Sequence, residues 1–324
     1  MTARIVVLDG ATLNPGDNSW APMESLGEFE LHARSTESEL AERLALADVA
    51  VVNKVRLSAE TIANAPRLKF ISVSATGFDC VDVKAAASRG IPVSNVPTYG
   101  TASVAQFTFA LILELCHRVG LHDAAVHAGD WQKCESFSFW RTPHLELDGL
   151  TLGVIGFGRI GQRVAHLGHA FGMRVLAQSR DHSTTPQWQP FEWADRERIA
   201  AESDVISLNC SLNDETRGLV DATFLRRMKP AAFLINTSRG ALVNEVALAD
   251  ALNAGQIAGA AVDVVSDEPI RADNPLLGAR NLVMTPHMAW STGAARRRMM
   301  QTTADNIRAF LSGRPINVVN QSVH

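Results

Sequence analysis

One glycine-rich stretch constrains the fold more than any other part of the sequence: Gly153-Val-Ile-Gly156-Phe-Gly158-Arg-Ile-Gly161. The apolar run Thr151-Leu-Gly-Val-Ile leads into the glycines, and a helical pattern follows them. The stretch therefore predicts a buried strand that turns sharply into the N-terminus of a helix. Because the first N–H groups of a helix lack intrahelical partners and lie at its positive end, such a corner binds anions, most often a pyrophosphate. Three glycines can also mark an ordinary tight turn, but this context favours a dinucleotide site.

Strand and helix patterns alternate in two blocks, which predicts parallel sheets covered by helices on both faces. A long helix from Tyr99 to Arg118 joins the blocks, and an amphipathic helix from Thr292 to Leu311 follows the second block, before a possible strand at 316–319. The expected fold is α/β, with two Rossmann-like, doubly wound domains and a ligand cleft between them. The first domain is discontinuous, comprising residues 1–98 and 290–324, and the second comprises residues 99–289.

The composition indicates an ordinary globular protein without a nucleic-acid or membrane partner. Of the 324 residues, 46% are hydrophobic and 20% charged, and the formal net charge is −4. The four cysteines have no C-x-x-C spacing, which argues against a zinc site or a disulfide framework. The longest apolar segment, Val104 to Cys116, is too short to span a bilayer, and no signal peptide is visible. We therefore expect a cytoplasmic protein.

A loop from Asp130 to Leu147 is unusually rich in aromatic residues: Trp131, Phe137, Phe139 and Trp140. Exposed aromatic residues in a long loop indicate an interface, here a homodimer, whereas buried ones would pack under the loop. Both interpretations stay open, as does a role for Trp140 in a partner subunit's pocket.

Three polar residues follow apolar strands in the second block: Arg239, Glu268 and His287. Each has an ordinary structural explanation when taken alone. Together, at the same sheet edge as a pyrophosphate turn, they form a reactive set. An arginine binds a carboxylate or carbonyl in bidentate fashion, and a carboxylate beside a histidine stabilises the imidazolium, a proton donor suited to neutral pH.

These residues lie in segments that resemble the D-isomer-specific 2-hydroxyacid dehydrogenases along essentially the whole chain. The matching segments are Ala75-Thr-Gly77-Phe-Asp79, Asn95 to Gln106, Gly156 to Gly161, Asn236-Thr-Ser-Arg-Gly240, Asp263 with Asp-Glu-Pro269, and Thr285-Pro-His287. Within the family, Val-Pro-Thr-Tyr-Gly-Thr, Phe139-Trp140 and Pro286-His-Met-Ala-Trp290 are similar to the glycerate dehydrogenase, or hydroxypyruvate (glyoxylate) reductase, branch.

The resemblance implies a role for each of these residues. Arg239 would bind the substrate carboxylate and polarise its keto oxygen, His287 would act as acid and base, and Glu268 would orient His287. Thr76, Gly77 and Trp290 would complete the substrate site in a flavodoxin-like first domain. The second domain would bind the dinucleotide, with Asp263 at the nicotinamide carboxamide. The cofactor residues would be Gly156, Gly158, Arg159, Ile160, Gly161, Ser179, Arg180, Cys210, Ser211, Thr216, Thr237 and Asp263.

The sequence departs from the family where the second strand of the cofactor domain ends. The family's usual acidic residue there binds both ribose hydroxyls, but this chain has Ser179 followed by Arg180. Because a hydroxyl and a guanidinium attract a 2′-phosphate that a carboxylate would repel, we expect NADP rather than NAD. Asp181 would permit NAD if the strand ran two residues further. Ser211 replaces a common proline near the adenine side.

The leading hypothesis is therefore an NAD(P)H-dependent reductase of a small 2-keto acid, hydroxypyruvate or glyoxylate. The alternatives are a reductase of bulkier 2-keto acids and, from another class, a dinucleotide-sensing corepressor. No metal site is expected: His166 and His169 share a helix face, but no third ligand accompanies them.

Overall fold

The computed structural model describes residues 2–320. The chain divides into two compact units, Met1–Gly100 with Trp290–His324, and Thr101–Ala289. Residues 1 and 321–324, which the sequence assigned to the first domain, lie outside the described residues.

Twelve strands and twelve α-helices are found within residues 2–320. The strands are β1 Arg4–Val7, β2 Glu28–Leu31, β3 Val49–Val52, β4 Phe70–Val73, β5 Val93–Ser94, β6 Thr151–Ile155, β7 Arg174–Gln178, β8 Phe191–Trp193, β9 Val205–Leu208, β10 Phe233–Asn236, β11 Gly259–Val262 and β12 Leu282–Met284. The helices are α1 Gly10–Leu13, α2 Ala21–Glu24, α3 Leu40–Leu44, α4 Ala59–Ala63, α5 Val83–Ser88, α6 Thr101–His117, α7 Val119–His127, α8 Arg159–Ala170, α9 Arg196–Glu202, α10 Ala222–Arg227, α11 Glu245–Asn253 and α12 Gly293–Leu311. Short 3₁₀ turns span Glu37–Glu39, Gly240–Leu242 and Pro275–Gly278.

The first unit is a five-stranded parallel sheet in the order β2-β1-β3-β4-β5. Strands β3 and β4 are buried at every position, because helices cover both faces of the sheet. On one face, α12 buries Met299, Ala304 and Ile307 against Val7 and Phe70. The C-terminal helix is therefore part of the first unit, as the amphipathic pattern predicts.

The second unit is a seven-stranded parallel sheet in the order β12-β11-β10-β9-β6-β7-β8. The strand order reverses between β6 and β9, so the loops after these two strands diverge at the carboxyl edge and leave a crevice between them. Two buried clusters lie on the faces of the sheet, and α6 packs on one of them through Phe109, Ile112 and Leu115. The predicted α/β architecture of two Rossmann-like sheets is confirmed.

The structure differs from the sequence prediction in two places. Strand β8 was not predicted, because Phe191-Glu-Trp193 is short and follows a polar, proline-containing loop. Instead of a strand at 316–319, the chain forms a single antiparallel bridge from Val318 to Ser94.

The aromatic loop leaves its largest side chains in solvent. Trp131, Phe137 and Trp140 are 52%, 92% and 70% exposed, whereas Phe139 is half-buried. The interpretation that the loop's aromatic residues pack beneath it is therefore wrong for Trp131, Phe137 and Trp140.

Helix α6 is the most apolar long helix, yet by itself it does not meet the requirements of a membrane span. Within residues 2–320, no single helix is both long and apolar enough to cross a bilayer; α6 and α7 qualify only when taken together, and the chain bends by 57° between them.

Candidate active site

The glycine-rich turn joins β6 to α8, and each of its three glycines meets a different steric demand. Gly156 has φ +94°, and a Cβ there would overlap the backbone of Cys210. A Cβ on Gly161 would overlap the carbonyl oxygen of Gly156, so this glycine lets α8 pack closely on the turn. Gly158, by contrast, has no described atom within 4 Å of its Cβ position. Gly158, with free space at its Cβ position, therefore lies between two glycines whose Cβ positions are blocked, as expected where a pyrophosphate approaches the backbone.

The N-terminus of α8 is left without a side-chain cap. Gly158 is the N-cap residue, and no described side chain accepts a hydrogen bond from the helix start. Ile160 packs its side chain on the core, and Arg159 is exposed. The backbone N–H groups of Arg159, Ile160 and Gly161 therefore remain available to an anion.

A pocket of about 300 Å³ opens beside this turn, lined by the loops that follow β6, β7 and β9. The predicted cofactor residues Gly156, Gly158, Ser179, Arg180, Cys210, Ser211 and Thr216 line it. Sequence reasoning missed other lining residues, notably Gln178, Arg196, Asn209, Asn213 and Glu215.

The remaining predicted cofactor residues do not line this pocket. The Thr237 hydroxyl lies 3.0 Å from that of Thr108 on α6, and Asp263 is buried in the loop after β11. Thr216 lines the pocket, but its hydroxyl donates to the Ser211 carbonyl at 2.8 Å and so closes the 211–216 loop.

Strand β7 ends at Gln178, so Ser179 is the first residue beyond it. Asp181 does not extend the strand: its carboxylate accepts hydrogen bonds from the Ser183 backbone N–H and hydroxyl, both at 2.8 Å. These bonds lower the pKa of Asp181. The carboxylate is thus held in a local turn, whereas Ser179 and Arg180 face the pocket.

Arg239 follows β10 and is fixed by its neighbours. Its carbonyl accepts a 2.9 Å hydrogen bond from the Asn236 side chain, and its guanidinium donates to the Ser238 carbonyl. A Cβ on the next residue, Gly240, would overlap the backbone of Val265. This close approach brings the loop after β10 against the loop after β11, which carries Glu268.

Glu268 and His287 form a close hydrogen-bonded pair. The Nδ1–H of His287 donates to Glu268 Oε2 at 2.6 Å. The side chain of His287 is 22% exposed and that of Glu268 is 33% exposed. Because Nδ1 is engaged, Nε2 is the imidazole nitrogen left to exchange a proton with a substrate. His287 also has φ +52°, a left-handed conformation that costs of order 1–3 kcal/mol in a residue with a side chain.

The buried Asp263 stabilises the strained turn that contains His287. Its buried carboxylate accepts hydrogen bonds from the Thr285 hydroxyl at 2.6 Å and from two backbone N–H groups, of Met288 and Ala289, at 2.9 Å. Burial raises the pKa of Asp263, and these three donors oppose the rise. The contacts within the chain therefore make Asp263 an organiser of the turn that presents His287.

The loop that carries Glu268 has a second anchor that sequence reasoning missed. Glu245, the first residue of α11, accepts hydrogen bonds from the Ser266 backbone N–H at 2.6 Å and from the Asn274 side chain at 2.8 Å. Only its position after the N-cap Asn244 was visible in the sequence, and that position suggests a helix-dipole role.

The predicted substrate residues Thr76, Gly77 and Trp290 belong to the first unit. The Thr76 hydroxyl donates to the Val96 carbonyl at 2.9 Å, and the Asn95 side chain donates to the Thr76 carbonyl at 2.7 Å. The turn is held from both sides in this way. Trp290 packs edge-on against Tyr99, with ring centroids 6.3 Å apart.

Comparison with known proteins places this site in a family. Residues 109–289 match the model "D-isomer specific 2-hydroxyacid dehydrogenase, NAD binding domain". A hydroxypyruvate reductase of Blautia hydrogenotrophica is 44% identical over 321 residues, which cover 98% of this chain and 100% of that protein. A glycerate dehydrogenase of Methylorubrum extorquens is 38% identical and covers 98% and 99%. A solved acyclic imino acid reductase (Bsp5), in complex with NADPH and D-Arg, superposes with a TM-score of 0.86 at 31% identity, covering 98% and 99%.

The glycine turn gives a test that separates ligand binding from folding. We expect Gly158→Ala to fold normally, because its methyl group enters open space, but to bind NADPH and NADH ~10-fold or more weakly by calorimetry, because the methyl group occupies the pyrophosphate's approach. Gly161→Ala should instead lower the free energy of unfolding by about 1–3 kcal/mol, through overlap with Gly156.

Gly120→Ala is the matched control, because nothing lies within 4 Å of its Cβ position and it does not line the pocket beside the turn. Unchanged dinucleotide affinity in Gly158→Ala would exclude the turn as the pyrophosphate site.

Proposed function

The chain belongs to the D-isomer specific 2-hydroxyacid dehydrogenase family, and we propose that it is an NADPH-dependent reductase of a small 2-keto acid, hydroxypyruvate or glyoxylate. The observation that carries the proposal is the 2.6 Å pair of Glu268 and His287, held in a loop that packs against the loop of Arg239. The relatives named hydroxypyruvate reductase and glycerate dehydrogenase support the substrate class.

The proposed chemistry reduces the keto group by adding a hydride to carbon and a proton to oxygen. The nicotinamide cofactor, when bound, supplies the hydride. His287 donates the proton from Nε2 to the keto oxygen and retrieves it in the reverse reaction, while Glu268 stabilises the protonated imidazole. The guanidinium of Arg239 binds the carboxylate and polarises the keto group.

In the first unit, we assign recognition of the substrate carboxylate to the backbone N–H groups of Thr76 and Gly77. The hydroxyl of Thr76 already donates to Val96, so the backbone rather than the side chain supplies the donors. Trp290 would contribute its ring as an apolar wall, positioned by its edge contact with Tyr99.

The NADP preference is supported by the end of β7. Ser179 and Arg180 line the pocket, and the carboxylate of the same loop, Asp181, is engaged with Ser183. Such a site offers a 2′-phosphate a hydroxyl and a guanidinium without a facing carboxylate from this loop.

A homodimer is the proposed assembly, supported by the exposed ring surface of Phe137 and Trp140 in a loop held to α7. The Arg141 backbone N–H donates to His122 Nε2 at 3.0 Å, so the loop presents its rings from a fixed base. Exposed aromatic residues are enriched in the cores of protein–protein interfaces.

The proposed compartment is the reducing cytoplasm. All four cysteines are free thiols, and burial raises the pKa of Cys80 and of Cys116 to about 11, so these two remain protonated and unreactive.

The proton-donor role of His287 is tested by His287→Ala. Because general acid catalysis contributes ~10²–10⁴-fold, turnover of hydroxypyruvate should fall by about that factor while NADPH still binds by calorimetry. The exposed His166→Ala on α8 is the control and should keep full turnover. Near-normal turnover in His287→Ala would rule out the role.

The cofactor preference is tested by Ser179→Asp. A carboxylate at this position repels the 2′-phosphate and binds ribose hydroxyls, so the ratio of kcat/KM for NADPH over NADH should fall ~10-fold or more. Asp181→Asn should leave the ratio unchanged, because the Asp181 carboxylate serves its own turn. An unaltered ratio in Ser179→Asp would show that another part of the chain sets the preference.

The dimer is tested by light scattering, where the wild type should have twice the 35.0 kDa mass of one chain. Replacing both Phe137 and Trp140 by serine should raise the dissociation constant ~100-fold, since large aromatic residues dominate interface energies. Leu46→Ser, which alters an exposed apolar residue of the first unit, should change nothing. A wild type that scatters as a single chain at all concentrations would disprove the dimer.

A further inference from the structure

Arg196 is an unassigned residue of the cofactor pocket. It is the first residue of α9, which follows β8, and it lines the same pocket as Ser179 and Arg180. Because β8 is not evident from the sequence, neither is the position of Arg196 at the sheet edge.

The strand register brings the segments that carry Arg180 and Arg196 to the ends of neighbouring strands. Strands β7 and β8 pair in parallel, with Ala177 opposite Trp193. Arg180 and Arg196 each stand three residues beyond that pair, at the carboxyl ends of adjacent strands. Two guanidinium groups from separate segments are thus brought to one wall of one pocket.

The carboxylates around Arg196 are engaged elsewhere. Among the described residues, Glu192 and Glu202 pair with Arg174 and Arg198, and Glu197 pairs with Arg227; Asp195 caps α9 by accepting from the Arg198 N–H. Within residues 2–320, the side chains of Arg196 and Arg180 make no hydrogen bond and no ion pair. A half-buried guanidinium without an anion is unfavourable, so the site is suited to receive one.

The charge of the pocket also favours the binding of an anion. The lining side chains comprise two arginines and one carboxylate, Glu215, which is exposed. Burial raises the pKa of the Cys210 thiol, and the positive charge of Arg196 is one of the effects that oppose the rise. The guanidinium field of Arg196 therefore reaches the wall formed by the loop after β9.

We propose that Arg196 is a second determinant of cofactor choice, which binds the 2′-phosphate of NADP from the segment after β8, together with Ser179 and Arg180 from the segment after β7. The inference rests on the proposed NADP preference and adds to it a residue from a different strand–helix connection. A phosphate accepts from two guanidinium forks at once, which a ribose hydroxyl cannot do.

Two adenosine fragments isolate this contact from catalysis. Adenosine 2′,5′-bisphosphate and adenosine 5′-monophosphate differ only in the 2′-phosphate, and both are titrated by calorimetry into the purified full-length chain. Arg196→Ala should weaken binding of the bisphosphate about 10- to 100-fold, the usual worth of one charged hydrogen-bond contact, and change monophosphate binding less than threefold. Arg180→Ala should show the same pattern.

Arg217→Ala is the matched control, because Arg217 is exposed near the 211–216 loop but does not line the pocket. If it weakens bisphosphate binding as much as Arg196→Ala does, general charge rather than contact is responsible, and the proposal fails. Thermal unfolding of Arg196→Ala should match the wild type, since no described side-chain bond is lost.

The remaining outcomes separate the inference from the proposed function. A wild type that binds both fragments equally overturns the NADP preference, and the role of Arg196 with it. A wild type that prefers the bisphosphate, with Arg196→Ala unchanged, overturns the role of Arg196 alone. Equal weakening of both fragments by Arg196→Ala assigns the residue to the adenine or the 5′-phosphate and also overturns the proposal.

Discussion

The carboxyl edge of the second unit depends on backbone segments that pack more closely than any side chain would permit. Gly156 lies against Cys210, Gly161 against Gly156, and Gly240 against Val265. The first two contacts bring the start of α8 to the sheet edge, and the third joins the loop of Arg239 to the loop of Glu268. Because backbone contacts cannot change rotamer, they fix these loops more rigidly than packed side chains would.

The turn around His287 shows how that rigidity serves a reactive group. A left-handed histidine is unfavourable, and the structure compensates with the buried Asp263, which binds the hydroxyl and N–H groups on both sides of it. Glu245 fixes the neighbouring loop through Ser266 and Asn274. Glu268 and His287 therefore meet at 2.6 Å as a consequence of contacts made by other residues. The backbone strain is confined to His287, whereas the contacts that compensate for it come from several other residues.

The sequence predicts what depends on regular periodicity and on glycine. Long apolar strands, the turn at Gly156 and the helix from Thr292 could be placed because each has a local physical signature. Strand β8 could not, since three residues carry no periodicity and pairing with β7 alone defines them. Missing that strand also hid Arg196. Glu245 was hidden for another reason: its partners lie 21 and 29 residues away, in a loop without local pattern. The role of Asp181 required knowing where β7 ends.

The discontinuity of the first unit has a consequence for the order in which the molecule is made. The second unit is continuous, and its buried clusters draw only on its own residues, so its core is complete once residue 289 is available. The first unit buries one sheet face beneath Met299, Ala304 and Ile307 of α12, which the ribosome adds only after the whole second unit. At 5–20 residues per second, that face waits roughly 10–40 s for its cover during synthesis. The N-terminal hundred residues are thus the part of the nascent chain that exposes an apolar sheet face longest.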